Sequence, residues 1–270
     1  MKRTLLLSAT LSLISLAPVL AQGLSQSDIV DGQLRPGWQT EKGNHITALH
    51  LRLAPEWKTY WRAPGDAGIP PSFDWSGSEN LSSVRFHWPT PEVFHTNGMQ
   101  TVGYHDELML PIEVTAVDAS RPVQLRAAIE LGVCKDICVP ASLHVEAELR
   151  PPGKPDKAIA AALRTQPQAA RQAGLNGLSC AVEPIDDGLR LTARMDLKPL
   201  GGQEVVVVEP GLPGVWVSEA EVSRNGKTLI AQVEMVPPSG APFALVRDNI
   251  LITIIGPDRK AVEVRGCPAG

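Results

Sequence analysis

Histidine disappears from this chain after His144, and only 4 cysteines serve its 270 residues. A metal site built from clustered Cys and His pairs is therefore confined to the first half, and no two such pairs stand at zinc-ligand spacing. The sequence has no G-x-S-x-G, no H-E-x-x-H and no phosphate-cradling glycine loop. The usual hydrolase, metalloprotease and nucleotide-binding signatures are thus missing. Past its first residues it has no run of 18 uninterrupted apolar residues, so no spanning helix is expected there. Blocks of like charge, low-complexity tracts and repeats at solenoid spacing are also absent. With 25 basic and 29 acidic residues the net charge is −4, which argues against a nucleic-acid surface.

What is present begins with MKRTLLLSATLSLISLAPVLAQG. Lys2 and Arg3 precede an apolar run from Leu5 to Leu16, and Val19-Leu20-Ala21 is a small-residue cleavage site. The run is shorter than the ~20 residues of a membrane anchor and is broken by Ser12, Ser15 and Pro18. A signal peptide over residues 1–21, cleaved after Ala21, is the expectation, and with it an exported protein. Losing Lys2 and Arg3 would leave 23 basic against 29 acidic residues, a net of −6. Disulfides persist in such a compartment, so the cysteines need not stay reduced.

The remaining length suffices for two domains. From Ile46 to Leu149 short β-like runs alternate with Pro, Gly and Asn, the pattern of an antiparallel sandwich: HITALHLRLA, LMLPIEVTAV, VQLRAAIEL and LHVEAEL. In the third, Val123, Leu125, Ala127, Ile129 and Leu131 alternate with more polar positions, so one face is buried. Ten of the twelve large aromatics precede the first cysteine. Most of them fall in what read as the loops between these runs.

The Ala-rich segment after PPGKP predicts a helix capped by Asp156 and ended or broken by Pro167. From Gly177 the β pattern returns, with Asn225-Gly226 marking a hairpin turn. The predicted organisation is a mainly β chain: a first β-sandwich over 22–150, a helical linker over 151–175 and a second β-sandwich over 176–270.

The most informative segment is Leu131 to Pro140, LGVCKDICVP, with Cys134 and Cys138 at either end of a three-residue turn between two predicted strands. Stabilisation by a disulfide grows with the logarithm of loop length, so so short a loop makes a poor staple. Such a pair is better explained as one opened and closed by thiol exchange. Four cysteines allow three pairings. Pairing Cys180 with Cys267 would join the two ends of the second β domain. It would close a loop of nearly 90 residues, worth on the order of 4 kcal/mol in the loop-entropy model. That pair reads as structural.

His45, His50, His87, His95, His105 and His144 all lie in the first domain, and His95, Met99 and His105 share one predicted loop. Such ligands suit copper, so a copper-tolerance or assembly factor with two structural disulfides is the alternative reading. Irregularly spaced histidines more often serve as ordinary hydrogen-bonding residues, and no metal ligand or cofactor is assigned.

EWKTYWRAPGDAGIPPSFDW (Glu56 to Trp75) and VGYHDELMLPIEV (Val102 to Val114), followed by GVCKDICVP, resemble the N-terminal periplasmic domain of the DsbD/ScsB thiol:disulfide interchange proteins. The resemblance runs from about Gln33 to Leu149, and the helix with its second β domain is similar to the longer ScsB-like ectodomains. It implies an immunoglobulin-like fold, repeated in the second domain. It also implies a redox pair at Cys134 and Cys138, with Cys138 forming the mixed disulfides. A cap over the pair is implied near Phe94 and Tyr104. Electrons would pass from a thioredoxin-like domain or membrane electron-transfer protein to periplasmic acceptors containing disulfides. The C-x-x-x-C spacing is shorter than in the enteric DsbD domain, and the sequence shows neither a multi-helix membrane domain nor a thioredoxin-like one. Lys135 would favour a neighbouring thiolate and Asp136 would oppose it.

Overall fold

A computed structural model describes residues 25–96 and 98–270. The expected leader over residues 1–21 lies outside them. After a single turn, α1 (Gln26–Ile29), the first half is built from β1 (Val30–Gln39), β2 (His45–Leu53), β3 (Lys58–Tyr60), β4 (Ser72–Asp74), β5 (Leu81–Phe86), β6 (Glu92–Thr96), β7 (Met99–His105), β8 (Glu107–Ala116), β9 (Val123–Cys134) and β10 (Cys138–Leu149). One sheet runs β1-β2-β8-β5. The other runs β10-β9-β3-β7-β6, with β4 also on β9.

The alternation read from Val123 to Leu131 is the alternation observed, with Val123, Leu125, Ala127, Ile129 and Leu131 all buried. Those side chains meet Leu49, Leu51, Leu108, Leu110 and Ile112 of the facing sheet in one core. Each such Val, Leu or Ile side chain contributes roughly 1.5–3 kcal/mol on burial. Most of the aromatics expected in loops sit instead on strands or at their ends. Phe73, Trp75, Phe86, Trp88 and Tyr104 pack ring to ring across the first core.

Asp156 accepts from the backbone N–H groups of Ala158 and Ile159 and so caps α2 (Lys157–Leu163). The helix is only seven residues long. Pro167, which has no N–H and restricts the residue before it, precedes the extended β11 (Gln168–Ala169), so the connecting segment is not helical throughout. Nor is it a free spacer, because the fully buried Ile159 packs on Ile46 and Ala48 of β2.

The second half comprises β12 (Gly177–Ile185), β13 (Gly188–Asp196), β14 (Val205–Glu209), β15 (Trp216–Val217), β16 (Glu221–Asn225), β17 (Thr228–Val236), β18 (Leu251–Ile255) and β19 (Ala261–Arg265). These form sheets ordered β11-β19-β18-β14 and β12-β13-β17-β15, with β16 also on β17. The β16–β17 hairpin turns at Gly226, whose φ of +59° suits the residue after Asn225. Between these sheets lies a second core that includes Leu191, Met195, Leu229, Val233, Ile252 and Ile254. Ile255 and Ala261 belong to the first core instead, so the two halves share apolar contact. Among the described residues no helix is long and apolar enough to cross a membrane.

Candidate redox site

β9 and β10 pair in unbroken antiparallel register from Val123↔Leu149 to Cys134↔Cys138. The register makes the two cysteines cross-strand partners at the hairpin's end, with Cα atoms 4.1 Å apart, and they are joined as a disulfide. Lys135, Asp136 and Ile137 form the connection, which the Lys135 N–H closes by donating to the Ile137 carbonyl. Although partners, the cysteines differ in environment. Cys134 is 1% exposed, whereas Cys138 lies open to solvent.

β3 brings a third group to the sulfurs. Lys58 and Thr59 pair with Cys134 and Val133, and the Thr59 hydroxyl donates to the Gly132 carbonyl at 3.0 Å. At Tyr60 the chain leaves β9 and the ring turns under the disulfide. Its hydroxyl donates to Cys134 Sγ at 2.9 Å and lies 3.4 Å from Cys138 Sγ. The close approach needs glycine at position 132. A Cβ there would come within 2.8 Å of the Ile69 side chain and 3.2 Å of the Tyr60 ring. Burial raises the Tyr60 phenol above its ordinary pKa, so the group remains a hydrogen-bond donor at neutral pH.

The rim is apolar on two sides. Ile137, in the connection itself, is 66% exposed, and Ile69, packed beside Gly132, is 43% exposed. Lys135 points its ammonium at Glu56, 2.5 Å away. That contact holds the Glu56 carboxyl below, and the Lys135 ammonium above, their ordinary values. The charge that the sequence places beside Cys134 is therefore already partnered.

The cap candidates are placed differently from one another. The expected loop from Phe94 to Tyr104 is the β6–β7 hairpin. Phe94 is half-buried on β6 with the Lys58 ammonium 4.9 Å from its ring centroid, and Lys58 is the register partner of Cys134. Tyr104 is 6% exposed and turns into the core, stacking on Trp88 and donating to the Pro89 carbonyl at 2.7 Å. The hydroxyl at the sulfurs belongs to Tyr60, a residue that sequence reasoning passed over. Its one signal was its place in the EWKTYWR stretch.

Cys180 and Cys267 are also joined, across 87 positions, and both are buried. Arg247 donates to the carbonyls of both, at 3.1 Å each. The histidines are dispersed. His45 contacts the Pro36 carbonyl, His50 pairs with Glu107, His87 with Glu113 and His105 with Glu92, while His95 and His144 are exposed. Among the described residues, no three His, Cys, Asp or Glu side chains are grouped so as to hold a metal ion.

The hairpin end thus carries a solvent-facing cysteine disulfide-bonded to a buried one. Residues 31–149 match the family model for the N-terminal part of the thiol:disulfide interchange protein DsbD. The match ends at Leu149, the last residue of β10, so the matched segment coincides with the first pair of sheets. The crystal structure of the N-terminal periplasmic domain of ScsB from Proteus mirabilis has a similar fold. Its TM-score is 0.66 at 21% identity, covering 89% of this chain and 92% of that one. That likeness, which is of fold alone, extends beyond the DsbD segment into the second half. None of the curated proteins matches the chain in sequence.

Proposed function

We propose that the chain is a periplasmic thiol:disulfide interchange protein that passes electrons through Cys134 and Cys138. The carrying observation is the asymmetry of the pair: Cys138 exposed, Cys134 buried, and the Tyr60 hydroxyl at 2.9 Å from the buried sulfur. In this reading residues 22–150 form the immunoglobulin-like redox domain, 151–175 the connecting segment and 176–270 a second sandwich. The Cys180–Cys267 bond is structural.

The steps follow from thiolate chemistry. A donor thiolate attacks Cys138 Sγ, the accessible sulfur, forming a donor–Cys138 mixed disulfide and expelling the Cys134 thiolate. The Tyr60 hydroxyl stabilises that leaving anion, since a hydrogen bond to a charged acceptor is roughly twice as strong as a neutral one. The donor's second thiolate then releases Cys138 and leaves the donor oxidised. In the forward half-reaction the Cys138 thiolate attacks an acceptor disulfide and frees one acceptor thiolate. Cys134 then attacks Cys138 Sγ, restores the bond and frees the second. Two electrons and two protons pass from donor dithiol to acceptor disulfide. The donor is a thioredoxin-like domain or membrane electron-transfer protein, and the acceptors are periplasmic proteins carrying disulfides. The apolar rim of Ile69 and Ile137 offers contact around the attacking sulfur.

Trapping tests the assignment. Cys134→Ala leaves the acceptor–Cys138 mixed disulfide without its internal exit, so covalent adducts with disulfide-containing acceptor proteins accumulate. Adducts with Cys138→Ala in place of Cys134→Ala would reverse the roles, and none with either would refute the function.

A further inference from the structure

Two residues beyond Tyr60, Arg62 leaves the first half altogether. Its guanidinium contacts Glu209 of β14 at 3.0 Å and Glu263 of β19 at 2.7 Å, and stacks 4.2 Å from the centroid of the Trp61 ring. The side chain is mostly buried, as are its two partners. Between Tyr60 and Arg62, Trp61 is 0% exposed and its backbone N–H donates to the Val102 carbonyl. A short, fully packed segment therefore has the Cys134 sulfur at one end and two carboxylates of the second half at the other. A buried bidentate guanidinium–carboxylate contact is among the more rigid polar contacts available.

We infer that Arg62 is a positioning residue through which the second half of the chain sets the redox equilibrium of the Cys134–Cys138 pair, by holding Tyr60 against Cys134. This rests on the exchange reading above and extends it, because the second half then acts on the redox centre as well as being attached to it. The sign follows from the chemistry. Opening the disulfide creates a thiolate, the Tyr60 hydroxyl stabilises that anion more than the neutral disulfide, and a well-held hydroxyl therefore favours the reduced pair. Loosening Arg62 makes the pair harder to reduce.

The test uses the full mature chain equilibrated with glutathione, which reads the pair without any protein partner. Glu209→Gln with Glu263→Gln keeps side-chain shape and removes the charge. It is expected to shift the equilibrium about fivefold toward the disulfide, or about 20 mV at ~30 mV per tenfold. Arg259→Gln is the control, because Arg259, in the turn between β18 and β19, also bridges the halves, but to Glu92 of β6, a strand that does not carry Tyr60. It should leave the equilibrium unchanged. In a Tyr60→Phe background the double Gln change should add nothing.

If the double variant is not folded by circular dichroism, Glu209→Gln and Glu263→Gln alone are read for a smaller shift of the same sign. An unchanged equilibrium in a folded variant overturns the inference. So does an equal shift in Arg259→Gln, or an undiminished one without the Tyr60 hydroxyl. Failure of the exchange reading looks different: no adducts form in the trapping experiment, while the glutathione equilibrium still responds to Glu209 and Glu263.

Discussion

The Tyr60 hydroxyl donates to Cys134 Sγ at 2.9 Å from a position 74 residues earlier in the chain. The buried sulfur of the disulfide thus has a hydrogen-bond donor, while its partner Cys138 faces solvent. In the proposed exchange the first sulfur leaves and the second is attacked.

Tyr60→Phe should keep the fold, since the ring still fills its place beside Gly132, but should leave the departing thiolate without its donor. Exchange through the pair is expected to slow about tenfold, the effect of losing roughly 1.5 kcal/mol of hydrogen bonding to a charged sulfur. Alkylation of the reduced Cys134 thiol should require higher pH. Stopped-flow exchange with a small dithiol and a pH series of alkylation rates check both, and unchanged rates would remove Tyr60 from the mechanism.

The two disulfides should separate under graded reduction. Cys138 is exposed whereas Cys180 and Cys267 are 2% and 0% exposed, so mild reductant should open the first bond and spare the second. Mass spectrometry after alkylation reads the order, and early labelling of Cys180 or Cys267 would count against it. Replacing both of those with Ala should cost about 2–5 kcal/mol of stability. Exchange at Cys134 and Cys138 should persist wherever that variant remains folded.

Acid sensitivity should arise partly at Glu113. Arg85, Asn44 and His87 all hydrogen-bond its carboxylate, with Arg85 the strongest influence, and hold its pKa at about 2 against an ordinary 4.5. A carboxyl depressed in the folded state stabilises the fold above its unfolded pKa, and that contribution is lost as pH falls from 4.5 toward 2. Glu113→Gln should therefore lower the melting temperature at pH 7 and flatten its decline over that acid range. Parallel melting curves for both proteins down to pH 3 would contradict this.

Much of this was legible along the chain. Val123 to Leu131 alternates because one face of β9 meets the core, Asn225-Gly226 turns where a left-handed residue is needed, and Asp156 caps where expected. The cysteine hairpin could be read because Cys134 and Cys138 are near in sequence. Tyr60 and Arg62 could not, because their partners lie 74, 147 and 201 positions away and only the pairing of β3 with β9 and the approach of β14 and β19 bring them together. The packing of Tyr104 could not be read either: its ring stacks on Trp88, and a motif does not say which way a side chain points.

The most direct test is the reduction potential of the Cys134–Cys138 bond, titrated against glutathione and read by mass spectrometry. An exchanging pair should lie above about −300 mV, within reach of a thioredoxin-like donor and periplasmic acceptors. A potential well below that value would mark the bond as a structural staple and contradict the account.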